Sequence, residues 1–349
     1  MTAPTTSPLS TTRTRVAVVG GGRSCEHEVS LASAAAVAAA LDPARYDVVR
    51  LTIDRDGGWR EREGRPVGLA GAVATLRSCD VVVPMVHGPA GEDGTLAALC
   101  DLADVPYVGS GVGAGAVAMD KWVTKLVAAA LGLGVAPGVL LTAATAAGHT
   151  VDRPVVVKPV AAGSSHGVSL VRAPEELPAA LTAAFTVDDR VLVEEAVVGR
   201  EVDIAVVGRP DGTRLVSPAL EIVCDGLFDH GTKYGGTADF RVPADLGTDV
   251  AATLERAAVA VYDALGCRGV ARVDFFWTEQ GPVLNEVNTT PGFTPASQVP
   301  RMFAAAGLPY PALLDLLIGD AVAGTAPTGT AALWTVAGLG RPDRTPVPA

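Results

Sequence analysis

Blocks of apolar and polar positions alternate along the first third of the chain. "RVAVVGGG" is a short apolar run ending in glycines, and "CEHEVSLASAAAVAAAL" is a helix pattern. "YDVVRLTID" and "CDVVVPMVHG" read as further strands, and "VPYVGSG" as a fourth leading into a glycine-rich hinge at 109–115. Strands alternating with helices imply a parallel sheet. A second unit opens with the helix pattern "AMDKWVTKLVAAALGLG", which Gly132 and Gly134 end. It continues as strand, Gly/Ser loop and strand in "RPVVVKPVAAGSSHGVSLV", then a helix in "EELPAALTAAF" and strand-turn-strand in "RVLVEEAVVGREVDIAVVG". A third unit runs from about Gly208 to Gly324. Both ends lack such periodicity. Residues 1–14 are rich in Thr, Pro and Ser without an apolar core, unlike a signal peptide, and 326–349 form a loose Gly/Pro/Thr-rich extension. No window holds about 18 clean apolar residues, so no membrane span is expected.

One segment of the third unit breaks the apolar pattern in an informative way. "RVDFFWTEQGPVLNEVN" reads as a hairpin turning at "EQG", with glycine in the left-handed last position of a three-residue turn. With Gln280 at the turn centre, Arg272 faces Asn288 and Asp274 faces Glu286. Alternation then places all four on one face. Two carboxylates opposed across a sheet repel, unless a cation lies between them. Oxygen-only donors suit a hard ion that keeps waters and binds phosphate, which is the chemistry of Mg²⁺. The adjacent Arg272 suits stabilisation of developing negative charge. The alternative for these acids is a solvated sheet face, which the apolar flanks "VARVDFF" and "PVLN" argue against.

Other segments carry weaker signals. In "VVVKPVAAGSSHG", Lys158 ends an apolar strand before a loop whose N–H and hydroxyl groups can fold over phosphates. It is not a Walker loop, since the lysine precedes the glycines. "VLVEEAVVGREVDI" sets Glu194, Glu195 and Glu201 around a turn, suited to adenine or ribose or simply to water. "GGGRSCEHEVS" opens a helix, but Cys25 spoils the dinucleotide fingerprint. Glu26 could bind a substrate ammonium there, whereas His27 and Glu28 read as helix surface. His87 lies at the C-terminal end of a strand, where ligands of open parallel sheets collect. GSSHG at 163–167 fits GxSxG in spacing alone, since it lies between two strands and not at the strand-to-helix turn of a nucleophile elbow, and no HExxH motif occurs. The formal charge of −11 argues against nucleic-acid binding. Five scattered cysteines without CxxC spacing suggest neither disulfides nor zinc, and fit a reducing cytosol.

Taken in order, "GGRSCEHEVSLASA", "HGPAGEDGTL", "PYVGSGV", "AMDKWVTK", "VVKPVAAGSSHGVSLV", "KYGGTADFRVPADL" and "ARVDFFWTEQGPVLNEVNTTPGFTPAS" resemble the D-alanine–D-alanine ligase family of the ATP-grasp superfamily. The resemblance implies a three-domain α/β ATP-grasp architecture. A Rossmann-like parallel-sheet domain over 15–112 would bind substrate, a central ATP-grasp domain would span 113–205, and a C-terminal one with the metal site would span 206–325. It implies ATP as cosubstrate with Mg²⁺ or Mn²⁺, two ions in all, and a cytoplasmic homodimer joining two D-alanines for peptidoglycan synthesis. Residue by residue, Lys121 and Lys158 match the phosphate lysines, and Glu194 and Glu201 match nucleotide-binding positions. Asp274, Glu286 and Asn288 match the metal ligands. Glu26 matches the group holding the first ammonium, with His87 near its carboxylate. Arg272 and the Gly292 N–H match the oxyanion pair. Lys233 and Ser297 match the clamp on the second carboxylate, and Ser164 and Tyr234 match a network with Glu26 that closes the loop. The lid would comprise 163–167 and 225–240. Ala162 and His166 depart from the family pattern. The Lys-Tyr pair at 233 and 234 is the dipeptide-forming pattern, since His230 falls outside the position where depsipeptide ligases carry histidine. D-Lactate or D-serine ligases, or a non-catalytic nucleotide-binding homologue, are the alternatives.

Overall fold

The computed structural model describes residues 13–61, 64–223 and 239–324. His230, Lys233, Tyr234 and most of the 225–240 lid segment lie outside the described residues. The N-terminal sheet has the order β3-β2-β1-β4, from β1 (Thr14–Gly21), β2 (Tyr46–Ile53), β3 (Trp59–Arg60) and β4 (Val81–Pro84). β1 pairs in parallel with β2 and β4, as the alternation implies, and β3 adds an antiparallel edge. Val16–Val19 are buried on both faces, as in sheets covered by helices on each side. The helix His27–Ala40 lies so close that a Cβ on Gly20 would stand 2.5 Å from Ala34 Cβ. Only a glycine on the strand and an alanine on the helix allow that approach. The expected fourth strand, "VPYVGSG", is reduced to a single parallel bridge between Tyr107 and Val82, and Gly109 turns the chain away at φ +114°.

The next helical pattern is divided by Asp120. Val112–Met119 and Lys121–Ala130 are separate helices, and Asp120 has an extended backbone and caps the second through Val123 N–H. An Asp N-cap satisfies one of the orphan donors of a helix start. After β5 (Gly134–Val135), the antiparallel sheet β6-β9-β7-β8 forms from β6 (Gly138–Thr142), β7 (Val155–Pro159), β8 (Ser169–Val171) and β9 (Arg190–Glu195). Val155, Val157, Val191 and Val193 pack on Leu181 and Ala184 of the helix Leu177–Phe185.

The strand-turn-strand at 190–208 does not close on itself. β9 stays in this sheet, and β10 (Arg200–Gly208) enters the third one, so the turn hands the chain from one sheet to the next. β10 runs unbroken through residues 205 and 206. The third sheet follows the path β13-β12-β10-β14-β15-β5, with β11 (Arg214–Val216) on β10. Its remaining strands are β12 (Leu220–Val223), β13 (Asp239–Arg241), β14 (Gly269–Thr278) and β15 (Gly281–Asn288). One face buries Ile204, Val206, Val273 and Phe275 under Leu254, Ala258 and Val261 of the helix Thr248–Ala264. On the other face Ala205, Val207 and Val270 share an apolar cluster with Val16, Val18 and Val83 of the first sheet and with Phe303 and Leu314 of the last two helices. Arg272 and Asp274 have the parity of this second face, so the fold turns them toward the first sheet. The described cysteines are free. Among the described residues no single helix is long and apolar enough to cross a membrane.

Candidate active site

The hairpin pairs as expected near its base: Arg272 with Asn288, and Asp274 with Glu286. Its tip differs. Thr278 pairs with Gly281, so the turn has two residues, Glu279 and Gln280, rather than three. The one-residue shift is recovered at a bulge, where Asp274 pairs with Glu286 but Phe275 with Leu284. Asn285 is the extra residue. Two departures therefore cancel before the acids are reached. The register continues into β10, where Asp203 lies opposite Asp274. Asp203, Asp274 and Glu286 thus form one row of carboxylates across three strands, and Asp203 was not anticipated.

Arg272 neutralises this row. Its Nε and Nη2 each donate to Asp274 at 2.7 Å, and Nε lies 3.5 Å from Asp203. Burial would lower the Arg272 pKa, but Asp274, Asp203 and Glu286 outweigh it and hold the guanidinium charged. Asn288 Nδ2 donates to Asp274 at 3.0 Å. Among the described residues no three His, Cys, Asp or Glu side chains converge on a point. The donor set on the hairpin is two carboxylates and one amide, all oxygen-bearing, and each Asp274 oxygen keeps lone pairs beyond its bonds to Arg272. That set fits Mg²⁺, which takes one or two carboxylates and completes its shell with water and phosphate.

Two cavities meet at this row. The first, of 410 Å³, is walled by Val156, Leu170, Phe276 and Leu284 and contains Lys121, Lys158, Glu194 and Glu201. Glu194 is buried between two lysines, Lys125 at 2.7 Å and Lys158 at 2.6 Å. Burial alone would raise the Glu194 pKa, and the two ammonium groups bring it below the usual carboxylate range. Burial and the Lys158 charge lower the Lys125 pKa to about 8. Lys158 also donates to Asn285 Oδ1 at 3.3 Å, so the bulge residue faces the cavity. Lys121 Nζ donates to Ala162 O at 2.7 Å and lies 3.1 Å from Glu286, tying the Gly/Ser loop to the acid row. His166 lines this cavity too.

The second cavity, of 480 Å³, is lined by Glu26, His87, Arg272, Asn288, Gly292 and Ser297 among others. Ser164 Oγ donates to Glu26 Oε1, and a Cβ on Gly163 would meet the same carboxylate. Glycine at 163 is therefore what lets the loop backbone reach Glu26. Ser164 and Ser165 both hold positive φ, +50° and +56°, a conformation that non-glycine residues adopt at a cost. His27 is buried, not on the helix surface as its position suggested. Its Nδ1–H donates to Gly22 O at 2.6 Å. His87 uses both ring nitrogens on protein: Nδ1–H donates to Thr290 O at 2.7 Å, and Nε2 meets Ser33 Oγ at 2.9 Å. Burial lowers its pKa, keeping it neutral. His87 thus fastens the 290–293 turn to the first sheet. Ser297 Oγ accepts from Thr294 N–H at 3.0 Å.

Sequence reasoning passed over Glu92, whose carboxylate accepts from Thr290 N–H at 2.9 Å and Gly88 N–H at 3.1 Å. Burial, then the charge of Glu26, raises its pKa to about 8 against the two N–H donors. The folded state therefore binds more protons than the unfolded chain between pH 4.5 and about 8, and stability falls as pH rises through that window. Glu92→Gln should flatten this slope, which thermal melts from pH 5 to 8 would read. An unchanged slope would refute the assignment. Lys125 and Gln298 were also passed over. Lys125 carries only the signal of lying one helical turn beyond Lys121.

A cavity lined with lysines and acids between an antiparallel sheet and a larger sheet bearing an acidic row, beside a parallel-sheet domain, is the architecture of an ATP-grasp enzyme. The chain belongs to the D-alanine–D-alanine ligase family. It matches the profile described as D-ala D-ala ligase C-terminus over residues 127–319, and the D-ala D-ala ligase N-terminus over 15–71 and 68–110. It is 43% identical to the D-alanine–D-alanine ligase of Mycolicibacterium smegmatis, covering 93% of this chain and 98% of that one. Among solved structures it resembles the D-alanine–D-alanine ligase of Coxiella burnetii (33% identity, TM-score 0.76, 89% of this chain and 96% of the other). It also resembles the D-Ala:D-Ser ligase VanG of Enterococcus faecalis (34% identity, TM-score 0.77, 89% and 100%).

Proposed function

We propose that this protein joins two D-alanines into D-alanyl-D-alanine, converting ATP to ADP and phosphate through an acyl phosphate, as a cytoplasmic step in peptidoglycan precursor synthesis. The observation that carries the reading is the position of Glu286, which lines both cavities. A phosphoryl group delivered from the lysine-lined cavity would meet, at Glu286, a substrate held beside Glu26. On this reading the three sheets divide the work, with the first binding substrate, the second covering the nucleotide and the third carrying the reacting centre. The active species is a homodimer.

Lys121 and Lys158 hold the phosphates, while Glu194 orients both Lys125 and Lys158. Glu201 faces the nucleoside end. Glu26 takes the first D-alanine's ammonium, so that its carboxylate attacks the γ-phosphorus and ADP leaves. Asp274, Glu286 and Asn288 would hold Mg²⁺ or Mn²⁺, two ions on this reading, which would neutralise the phosphate charge. The neutral amine of the second D-alanine attacks the acyl carbon. Arg272 and the Gly292 N–H stabilise the oxyanion, phosphate departs, and the amine loses its proton. Ser297 and Lys233 hold the second carboxylate. The loop around Ser164, with Tyr234, excludes water that would hydrolyse the acyl phosphate.

Mass spectrometry after incubation with ATP, Mg²⁺ and equal D-alanine, D-serine and D-lactate tests this. D-Alanyl-D-alanine should be the main product at neutral pH. A mixed dipeptide or depsipeptide as main product would instead assign the acceptor to D-serine or D-lactate. A chain that releases no ADP in response to D-alanine would not be a ligase at all.

A further inference from the structure

The first residue of the helix Gln298–Ala305 lies on the wall of the substrate cavity and bonds in two directions. Gln298 Oε1 accepts from Arg272 Nη1 at 2.6 Å, and its Nε2 donates to Asp203 Oδ2 at 2.7 Å. The neighbours fix the amide's orientation. Turned over, its NH₂ would face the guanidinium, which only donates, and its oxygen would face a carboxylate, which only accepts. The helix cannot shift easily to relax this, because Val299, Met302 and Phe303 are fully buried. Asp203 is itself fully buried on the central strand β10, so the bridge ties Arg272 to the interior of the sheet.

We infer that Gln298 is a positioning residue for the ligation step: bridging Asp203 and Arg272, it fixes how the guanidinium faces the substrate cavity. Asp274 holds Nε–H and one Nη2–H, and Gln298 holds one Nη1–H. Among the described residues this leaves one N–H on each terminal nitrogen for substrate oxygen. Without Gln298 the guanidinium keeps its grip on Asp274 and can swing about it. The inference rests on the function proposed above, in which Arg272 stabilises the oxyanion of the second step. A poorly aimed Arg272 would slow amine attack while leaving phosphoryl transfer running. The acyl phosphate would then react with water, returning D-alanine and phosphate for each ADP formed.

The test compares ADP release with dipeptide formation in the full chain. Gln298→Leu should lower kcat for dipeptide about 10- to 100-fold, the scale of lost positioning contacts, with the KM for ATP within about twofold. The ratio of ADP to dipeptide should rise well above one. Asp203→Asn combined with Gln298→Glu rebuilds the bridge with donor and acceptor exchanged and the same total charge. It should recover most of the coupling, whereas Gln298→Glu alone, placing a second carboxylate against Asp203, should not. An ADP-to-dipeptide ratio near one in Gln298→Leu, or a loss shared equally by ATP affinity, kcat and melting temperature and not repaired by the double variant, would overturn the inference. Dipeptide formation by the parent chain is scored separately. Its absence would instead remove the function on which this role depends.

Discussion

Asp274→Ala should reduce D-alanine-dependent ADP release by about 10³-fold or more, since losing the proposed metal ligand would forfeit several kcal/mol of charge stabilisation. The structure gives the substitution two further consequences. Arg272 loses its bidentate partner and keeps Gln298 Oε1 at 2.6 Å and Asp203 at 3.5 Å. Asn288 loses the acceptor that orients its amide. On the proposed function one truncation thus disturbs the proposed metal ligand Asp274, the proposed oxyanion donor Arg272 and the proposed ligand Asn288 together, and effects of residues acting as a unit do not add. Initial rates at saturating ATP and a range of Mg²⁺ concentrations would measure it, with a melting curve to confirm folding. A variant within about tenfold of the parent rate would dismiss the hairpin as the reacting centre.

The second large effect falls on stability. Glu194→Gln leaves Lys125 and Lys158 facing each other with no carboxylate between them. Breaking a buried ion pair by removing one partner typically costs about 3–5 kcal/mol. The melting temperature should fall by several degrees, and ATP affinity with it. The pH dependence has a definite sign. Lys125 titrates near 8 when folded against 10.5 as an ordinary lysine. Over that interval the unfolded chain binds more protons at this site, so stability rises with pH there. Removing Glu194 lowers the Lys125 pKa further and extends the rise toward neutral pH. Melting temperature against pH for parent and variant would show this, and a variant as stable as the parent at pH 7 would contradict the buried triad.

How much of this was legible follows from which interactions are local. The hairpin motif lies within one stretch of chain, and alternation alone placed Arg272, Asp274, Glu286 and Asn288 on one face. The turn, however, is one residue shorter than its glycine suggested, and the bulge at Asn285 restored the pairing. Asp203 was invisible because its significance needs β10 beside β14, a pairing between segments some seventy residues apart. Glu92 hid in a loop motif already read as a marker of the family, and its neighbour Glu26 comes from another segment. His27 looked exposed on helical periodicity, but the glycine turn before it folds back to accept its proton. The assigned roles of Lys233 and Tyr234 rest on their sequence motif.

The bulge at Asn285 has one more implication, for the register of this hairpin. It lies between the exposed tip and the acid row, and it takes up a mismatch of one residue without passing it on. The register of the outer turn therefore differs by one residue from that of the acid row. Asp274 and Glu286 stay paired although the ribbon above them is one residue out of step.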